Sequence, residues 1–131
     1  IEVNSETDFV AKNNDFINFV EEISNIAFLH SGKIDDILNA VMKNKKNVKE
    51  NIISIISKIG EKITLRRCDY VNSENVINFS YLHQPIKKKF GKIGVLLSIE
   101  TDLKKDHISE FGKQLAMHIA ASSPLSINKE P

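Results

Sequence analysis

The chain has 131 residues, of which 41% are hydrophobic and 27% are charged, and its formal net charge is +1. This composition is typical of a globular domain with a core, which excludes a disordered chain, and the near-zero charge excludes a strongly basic protein that coats nucleic acid. The single cysteine excludes a disulfide framework and no apolar run is long enough to span a membrane, so we expect a reducing, cytoplasmic environment.

The first sixty residues are predicted to be helical, because their apolar residues recur at spacings of three and four. Thr7 is expected to cap a first short turn. Asn13 or Asn14 is expected to cap the next helix, and Asn47 the last one. That last helix is expected to end at Gly60, in a left-handed conformation. The predicted helices are a turn that begins at residue 7, then residues 15–30, 34–42 and 48–59.

The second half of the chain changes to the two-residue alternation of β-strands. Strands are predicted over residues 63–71, 76–83 and 93–99. Pro85 is expected to end the second strand, and the nearly continuous apolar run of the third predicts a central strand. A helix is predicted over residues 106–121. The buried face expected for this helix consists of Ile108, Phe111, Leu115, His118 and Ile119.

The order of these elements predicts an α+β fold. Strands joined by short turns must run antiparallel, so we expect a small three-stranded antiparallel meander sheet with helices packed on one face, and helices both before and after the sheet. Residues 1–131 are expected to form a single domain. Because the sequence begins at Ile1, without an initiator methionine, we expect an excised fragment or a processed product.

No constellation of residues typical of catalysis is found in the sequence. None of the four histidines pairs with another histidine or with Cys68 at a metal-ligand spacing. A glycine-rich phosphate loop and a nucleophile elbow are also missing. The sequence therefore predicts a protein that is not an enzyme, with no catalytic residue, no metal and no cofactor.

The segment that begins at Thr7 is the most informative local feature, because it places Phe9 on a short turn beside Asp8. A phenylalanine in such a pattern usually faces the core. A turn offset from the main helix can instead leave the ring exposed, where it would fill a partner's pocket while the carboxylate fixes its direction. The residues alone leave these two interpretations open.

Four segments of the chain match a known family in order. They are ETDFVAKN at residues 6–13, KIGEKITLRR at 58–67, YLH at 81–83 followed by GKIGVL at 91–96, and LAMHIAA at 115–121 with Pro124. Together they closely resemble bacterial translation elongation factor Ts. The resemblance covers essentially the whole chain.

This resemblance implies a guanine-nucleotide exchange factor that binds elongation factor Tu in its GDP-bound and nucleotide-free forms during translation elongation. The residue that corresponds to Phe9 wedges into a hydrophobic pocket of the Tu G domain, near the magnesium and phosphate end of the nucleotide site. Asp8 is implied to support that contact. Ile59, Gly60 and His83 are implied to lie on the same Tu-facing surface. No direct contact with nucleic acid and no membrane are expected.

The resemblance also implies that this chain is the first half of the family's core. The N-terminal helical domain, the second core half and the coiled coil of the family are absent, so we expect weak binding and little exchange activity from this part alone. Because some family members pair through the core, a homodimer of the full-length protein stays open.

A different function remains as the alternative. A small RNA-binding module would use the hairpin loop that carries Lys87, Lys88, Lys89 and Lys92, together with Arg66 and Arg67. Such modules usually interleave exposed aromatic residues with their basic residues. We expect no exposed aromatic residues interleaved with these lysines, which favours the exchange factor.

Overall fold

A computed structural model describes residues 1–129 of the chain. The chain divides into two units, Ile1–Tyr70 and the residues from Val71 onward, and each is described by itself. The first unit contains β1 (Glu2–Asn4), α1 (Asp8–Ala11), α2 (Asn14–Leu29), α3 (Ile34–Asn39), α4 (Val48–Ile59) and β2 (Thr64–Arg67). The second contains β3 (Val76–Lys87), β4 (Phe90–Glu100) and α5 (Lys105–Ser122). The expectation of a single domain stays a prediction.

The helices of the first unit begin and end at the residues that their local chemistry favours. The Asn13 side chain accepts hydrogen bonds from the backbone N–H groups of Asp15 and Phe16, which caps α2. Asn47 and Glu50 form a reciprocal capping box at the start of α4. Gly60 ends α4 with φ +82°, as predicted.

The third helix is shorter than predicted, because it ends at Asn39 and not near residue 42. The chain turns back directly after it: the Met42 N–H donates to the Lys46 carbonyl at 2.8 Å, and the Val48 N–H donates to the Ala40 carbonyl at 3.0 Å. Met42 is buried in this turn. The apolar spacing that extended the predicted helix therefore belongs to a loop folded onto the core.

The core of the first unit lies among its helices and beneath the β1–β2 ribbon. Ile23, Ile37 and Val48 are fully excluded from solvent. The other buried members of the cluster are Val10, Phe16, Phe19, Ala27, Met42, Ile55, Ile63 and Leu65. Burying a side chain of this kind contributes about 1.5–3 kcal/mol, so this cluster is the main source of the unit's stability.

The predicted three-stranded meander is wrong, since the described residues form two separate two-stranded antiparallel sheets. The strand predicted over residues 63–71 is the shorter β2, and its partner is β1 at the start of the chain, with Val3 opposite Leu65. Val3 packs against the core cluster and Leu65 is buried in it. This apolar contact fixes the pairing of β2 with a segment sixty residues away.

The second unit is a long hairpin with α5 packed against it. β3 and β4 pair in continuous register from Val76 opposite Glu100 to His83 opposite Ile93. Pro85 does not end β3 as predicted. It lies within the strand, opposite Gly91 and beside an irregularity in the register. A strand of a two-stranded ribbon has one open edge, where the missing N–H of proline is tolerated.

The apolar run of β4 does not form a central strand, because the sheet has only two strands. Its side chains alternate between half-buried and exposed positions along residues 95–100. The predicted face of α5 is also wrong at Phe111 and His118, which are exposed; Phe111 is 60% accessible. The buried residues of α5 are Ile108, Gly112, Ala116 and Ala120.

Gly112 explains this face, because small residues let the helix approach the sheet closely. A Cβ atom built at Gly112 would lie 2.5 Å from Cε1 and Cε2 of Phe79, which is itself only 7% exposed.

Within residues 1–129, no helix is both long enough and apolar enough to cross a membrane.

Candidate functional site

Phe9 stands out on the surface of the first unit, where 87% of the residue is accessible to solvent. Its neighbour Val10 is only 5% exposed and belongs to the core cluster. Successive residues of a helix point about 100° apart, so the burial of Val10 directs Phe9 away from the core. The sequence left open whether this ring is buried or exposed, and the structure shows that it is exposed.

The turn that carries Phe9 is joined at both ends to fixed parts of the unit. At its C-terminal end, the Asn13 N–H donates to the Val10 carbonyl at 2.9 Å, so α1 runs directly into the cap of α2. At its N-terminal end, Thr7 does not cap α1 with its side chain, contrary to the prediction. The Thr7 hydroxyl instead donates to Oε1 of Glu61 at 2.7 Å, and the Thr7 backbone N–H donates to Oε2 at 3.1 Å.

These contacts bring two of the predicted site segments together. Thr7 immediately precedes Asp8 and Phe9, and Glu61 immediately follows Ile59 and Gly60. A second link runs in the opposite direction, since the Lys62 N–H donates to Oε2 of Glu6 at 3.1 Å. Four of the five predicted site residues therefore lie on two hydrogen-bonded segments at the surface of the first unit.

Ile59 and Gly60 form the second part of this surface. Ile59 is half-buried against the core cluster, and Gly60 is exposed. The Gly60 N–H donates to the Ile56 carbonyl at 2.8 Å, which closes the last turn of α4. A Cβ at Gly60 would meet no atom of the described chain within 4 Å, so glycine is required here by its φ of +82° and not by crowding.

An ion pair links the end of α4, which leads into this surface, to the start of α2. Nζ of Lys58 lies 2.7 Å from Oδ2 of Asp15, at the start of α2. Both side chains are more than half exposed, so this pair contributes little to stability. The pair shows that the end of α4 lies near the start of α2, where the Phe9 turn also ends.

His83 belongs to the second unit and lies on β3. It is half-buried, with Nδ1 3.2 Å from the Tyr81 hydroxyl oxygen, and the two rings are tilted with their centroids 6.1 Å apart. The strand therefore holds this side chain through a residue on the same face of the sheet. The prediction of a residue that is at least partly exposed agrees with this position.

The residues of the RNA-binding alternative are divided between the two units. Lys87, Lys88, Lys89 and Lys92 are exposed around the hairpin turn of the second unit. Arg66 and Arg67, in the first unit, both bind the carboxylate of Glu2, with Nη1 of Arg66 2.9 Å from Oε1. Because the Glu2 carboxylate offsets one of these two positive charges, the pair presents less net positive charge than the alternative assumes.

Glu2 and Cys68 have shifted pKa values. Partial burial acts to raise the pKa of the Glu2 carboxyl, but the hydrogen bonds and charges of Arg66 and Arg67 outweigh it, and the pKa is lowered. Burial raises the pKa of the Cys68 thiol, and the negative charge of Asp69 acts in the same direction. A thiol with a raised pKa stays protonated at neutral pH, which makes Cys68 a poor nucleophile.

The exposed part of the first unit offers a surface for contact with a partner. In the part of the chain that the structure describes, no group of three or more His, Cys, Asp or Glu residues could hold a metal ion. What the first unit offers is an exposed aromatic ring on a turn that is hydrogen-bonded to the segment following an exposed glycine. Such a surface can enter an apolar pocket of another protein.

Sequence reasoning missed the part played by Glu6 and Glu61. Both lie inside the segments that carry the family resemblance, but each binds a residue more than fifty positions away. No local pattern encodes a contact of that separation. One weak signal is present in the sequence: Glu61 directly follows the glycine that ends α4, so its carboxylate has no role in that helix and is available for a contact elsewhere.

Comparison with known proteins gives a consistent result. The family model described as Elongation factor TS matches residues 6–131. The chain is 41% identical over 124 residues to elongation factor Ts of Maricaulis maris, covering 95% of this chain and 40% of that protein. It is 43% identical over 129 residues to elongation factor Ts of Rickettsia typhi, covering 98% of this chain and 41% of that protein. The chain thus spans about two-fifths of the length of these curated relatives.

Proposed function

The chain belongs to the elongation factor Ts family, and we propose that it is the part of a guanine-nucleotide exchange factor that binds elongation factor Tu and promotes the release of GDP. The reaction makes and breaks no covalent bond, so the factor acts by binding alone. The observation that carries this proposal is the 87% exposure of Phe9 on a turn anchored from both sides.

In this proposal the Phe9 ring enters a hydrophobic pocket of the Tu G domain, near the magnesium and phosphate end of the nucleotide site. Asp8 supports the contact from the adjacent position, and Ile59 and Gly60 extend the surface that faces Tu. His83 contacts the same partner from the second unit. Magnesium requires near-ideal octahedral geometry, so a small displacement of its surroundings weakens its hold on the nucleotide.

Exchange follows from the thermodynamic linkage between the two ligands of Tu. If the ring fits only when the pocket is open, the factor binds nucleotide-free Tu more tightly than GDP-bound Tu. By reciprocity, the bound factor then lowers the affinity of Tu for GDP by the same ratio. An incoming nucleotide in turn releases the factor, which allows one factor to serve many copies of Tu.

The test is the release of fluorescent GDP from elongation factor Tu, measured with the natural gene product that contains this sequence. Phe9→Ala is expected to lower the exchange rate about 30-fold, because truncating an anchoring aromatic removes about 2 kcal/mol of binding. Phe28→Ala is the matched control, since Phe28 is 69% exposed in the same unit but lies at the far end of α2. If folded Phe9→Ala and Phe28→Ala release GDP at equal rates, Phe9 does not act as the wedge.

The present chain should be assayed beside the natural gene product. We expect weak binding and little exchange from the chain alone, because it spans only part of the length of its relatives. A homodimer of the gene product and a cytoplasmic location stay predictions. Sedimentation of the purified gene product would measure the first of these.

A further inference from the structure

We propose that Glu61 is a positioning residue that holds the Phe9 turn in the orientation needed to enter the partner. This inference rests on the proposed function of Phe9. Both oxygens of the Glu61 carboxylate accept hydrogen bonds from Thr7: Oε1 from the hydroxyl at 2.7 Å, and Oε2 from the backbone N–H at 3.1 Å. A carboxylate bound at both oxygens fixes the residue that immediately precedes Asp8 and Phe9.

The Phe9 turn needs such a support, because α1 has only four residues. A helix this short has no stability of its own in water, so its orientation depends on contacts with the rest of the unit. Val10 supplies one contact through the core. The bond from the Asn13 N–H to the Val10 carbonyl joins the C-terminal end of the turn to α2. The two bonds from Thr7 to Glu61 hold the N-terminal end of the turn.

The ring itself contributes little to its own placement, because it is 87% exposed. Its direction is therefore set by the backbone at Thr7 and Val10. Ordering a mobile segment on binding lowers affinity, and a segment that is already ordered in the free protein avoids this loss. The carboxylate of Glu61 would thus raise the rate of exchange without touching elongation factor Tu.

The reciprocal link strengthens the same junction. Oε2 of Glu6 accepts the Lys62 N–H at 3.1 Å, so each segment donates from its backbone to a carboxylate of the other. The chain from Gly60 to Lys62 and the chain from Glu6 to Asp8 are joined as one platform. Glu61 has the larger effect on Phe9, since its two bonds are made to the residue next to α1.

The experiment measures GDP release from elongation factor Tu with variants of the natural gene product. Glu61→Ala is expected to lower the exchange rate about tenfold, and Thr7→Val, which loses the hydroxyl bond, by a smaller factor. Thr7→Ser keeps the hydroxyl and is expected to retain the rate of the unaltered protein. Glu74→Ala, which removes an exposed carboxylate from the loop before β3, controls for the loss of a charge.

A double-mutant cycle separates positioning from general stabilisation. If Glu61 acts through Phe9, Glu61→Ala lowers exchange tenfold in the unaltered protein but less than twofold when Phe9→Ala is already present. Equal factors in both backgrounds, or no loss in the first, would overturn the inference. A drop in thermal stability shared by both backgrounds does not affect this comparison.

A spectroscopic readout keeps the inference independent of the exchange assay. With 4-fluorophenylalanine at position 9, the free protein is expected to give one narrow fluorine resonance, and Glu61→Ala to broaden or shift it. If Phe9→Ala leaves exchange unchanged, the wedge proposal fails, and this resonance alone decides whether Glu61 orders the turn. An identical resonance with and without the carboxylate would overturn the positioning role.

Discussion

Gly112 is the point at which α5 lies against the β3–β4 hairpin, and its replacement by alanine tests how tightly the second unit is packed. The added Cβ would lie 2.5 Å from two ring carbons of Phe79. Carbon atoms in contact prefer a separation of about 3.5–4.0 Å, so the ring or the helix must move by roughly 1 Å. Phe79 is 7% exposed and paired with Leu97 across the hairpin, which leaves the ring little room to move.

Two opposing effects set the magnitude of this change. Alanine stabilises the interior of a helix by about 1 kcal/mol relative to glycine. Overpacking a core costs about 1–3 kcal/mol, and the overlap with a buried ring places Gly112→Ala toward the upper end of that range. We therefore expect a net loss of about 1–2 kcal/mol in the free energy of unfolding of the second unit.

Urea unfolding followed by circular dichroism measures this loss, and hydrogen exchange of the α5 amides locates it. Gly94→Ala is the control, because its Cβ would lie 3.7 Å from Leu82 Cδ2, which is an ordinary contact. Adding Phe79→Leu to Gly112→Ala should cost less than the sum of the two single changes. If Gly112→Ala proves as stable as the unaltered protein or more so, helix propensity dominates and the close packing inferred here is refuted.

Three further predictions concern the first unit and the alternative function. The pKa of Glu2 is lowered from 4.5, so the ionised carboxylate stabilises the fold above that pH, and this stabilisation is lost as the pH falls through the lowered pKa. The urea midpoints of the unaltered protein and of Glu2→Gln should therefore converge in acid. A difference between the two midpoints that stays constant with pH would contradict the prediction. Gly60→Ala should lower the free energy of unfolding by about 1 kcal/mol, and Gly60→Asn by less, because asparagine tolerates the left-handed region better. If both variants unfold in urea at the same midpoint as the unaltered protein, the left-handed backbone at residue 60 does not require glycine. A salt titration with RNA should give no saturable binding, because the basic residues of that alternative are divided between the two units and Glu2 offsets part of the charge of Arg66 and Arg67. An affinity that falls steeply with salt would revive the RNA-binding alternative.

The helices and most of their ends could be predicted from the sequence because their signals are local; the end of α3 and the cap at Thr7 are the exceptions. Asn13 and Asn47 accept hydrogen bonds from residues two or three positions later, and Gly60 adopts the left-handed conformation that ends a helix. Each of these features depends on a few neighbouring residues and on the chemistry of one side chain. The α+β composition follows from the same local patterns.

The pairing of the strands could not be predicted in the same way. β1 has only three residues, too few to show an alternating pattern, and its partner β2 lies about sixty positions away. The sequence placed β2 beside β3 because short connections are the usual case. In the fold, contact of Val3 and Leu65 with the core decides the pairing instead.

The candidate site was partly predictable for a related reason. Residues alone showed that Phe9 was unusual but not where its ring points, because that direction depends on Val10 occupying the core and on Thr7 binding Glu61. The family resemblance selected the residues of the site. The structure adds the hydrogen bonds that join the segment of Asp8 and Phe9 to the segment of Ile59 and Gly60.

Photo-crosslinking from position 9 tests the central claim most directly. With a benzophenone amino acid in place of Phe9, the natural gene product is expected to form an adduct with the G domain of nucleotide-free elongation factor Tu. Excess GDP and magnesium should suppress this adduct, as the reciprocity of binding requires. The same probe in place of Phe28 should give no adduct. An adduct from position 28 but none from position 9 would contradict the claim that this exposed ring enters the partner.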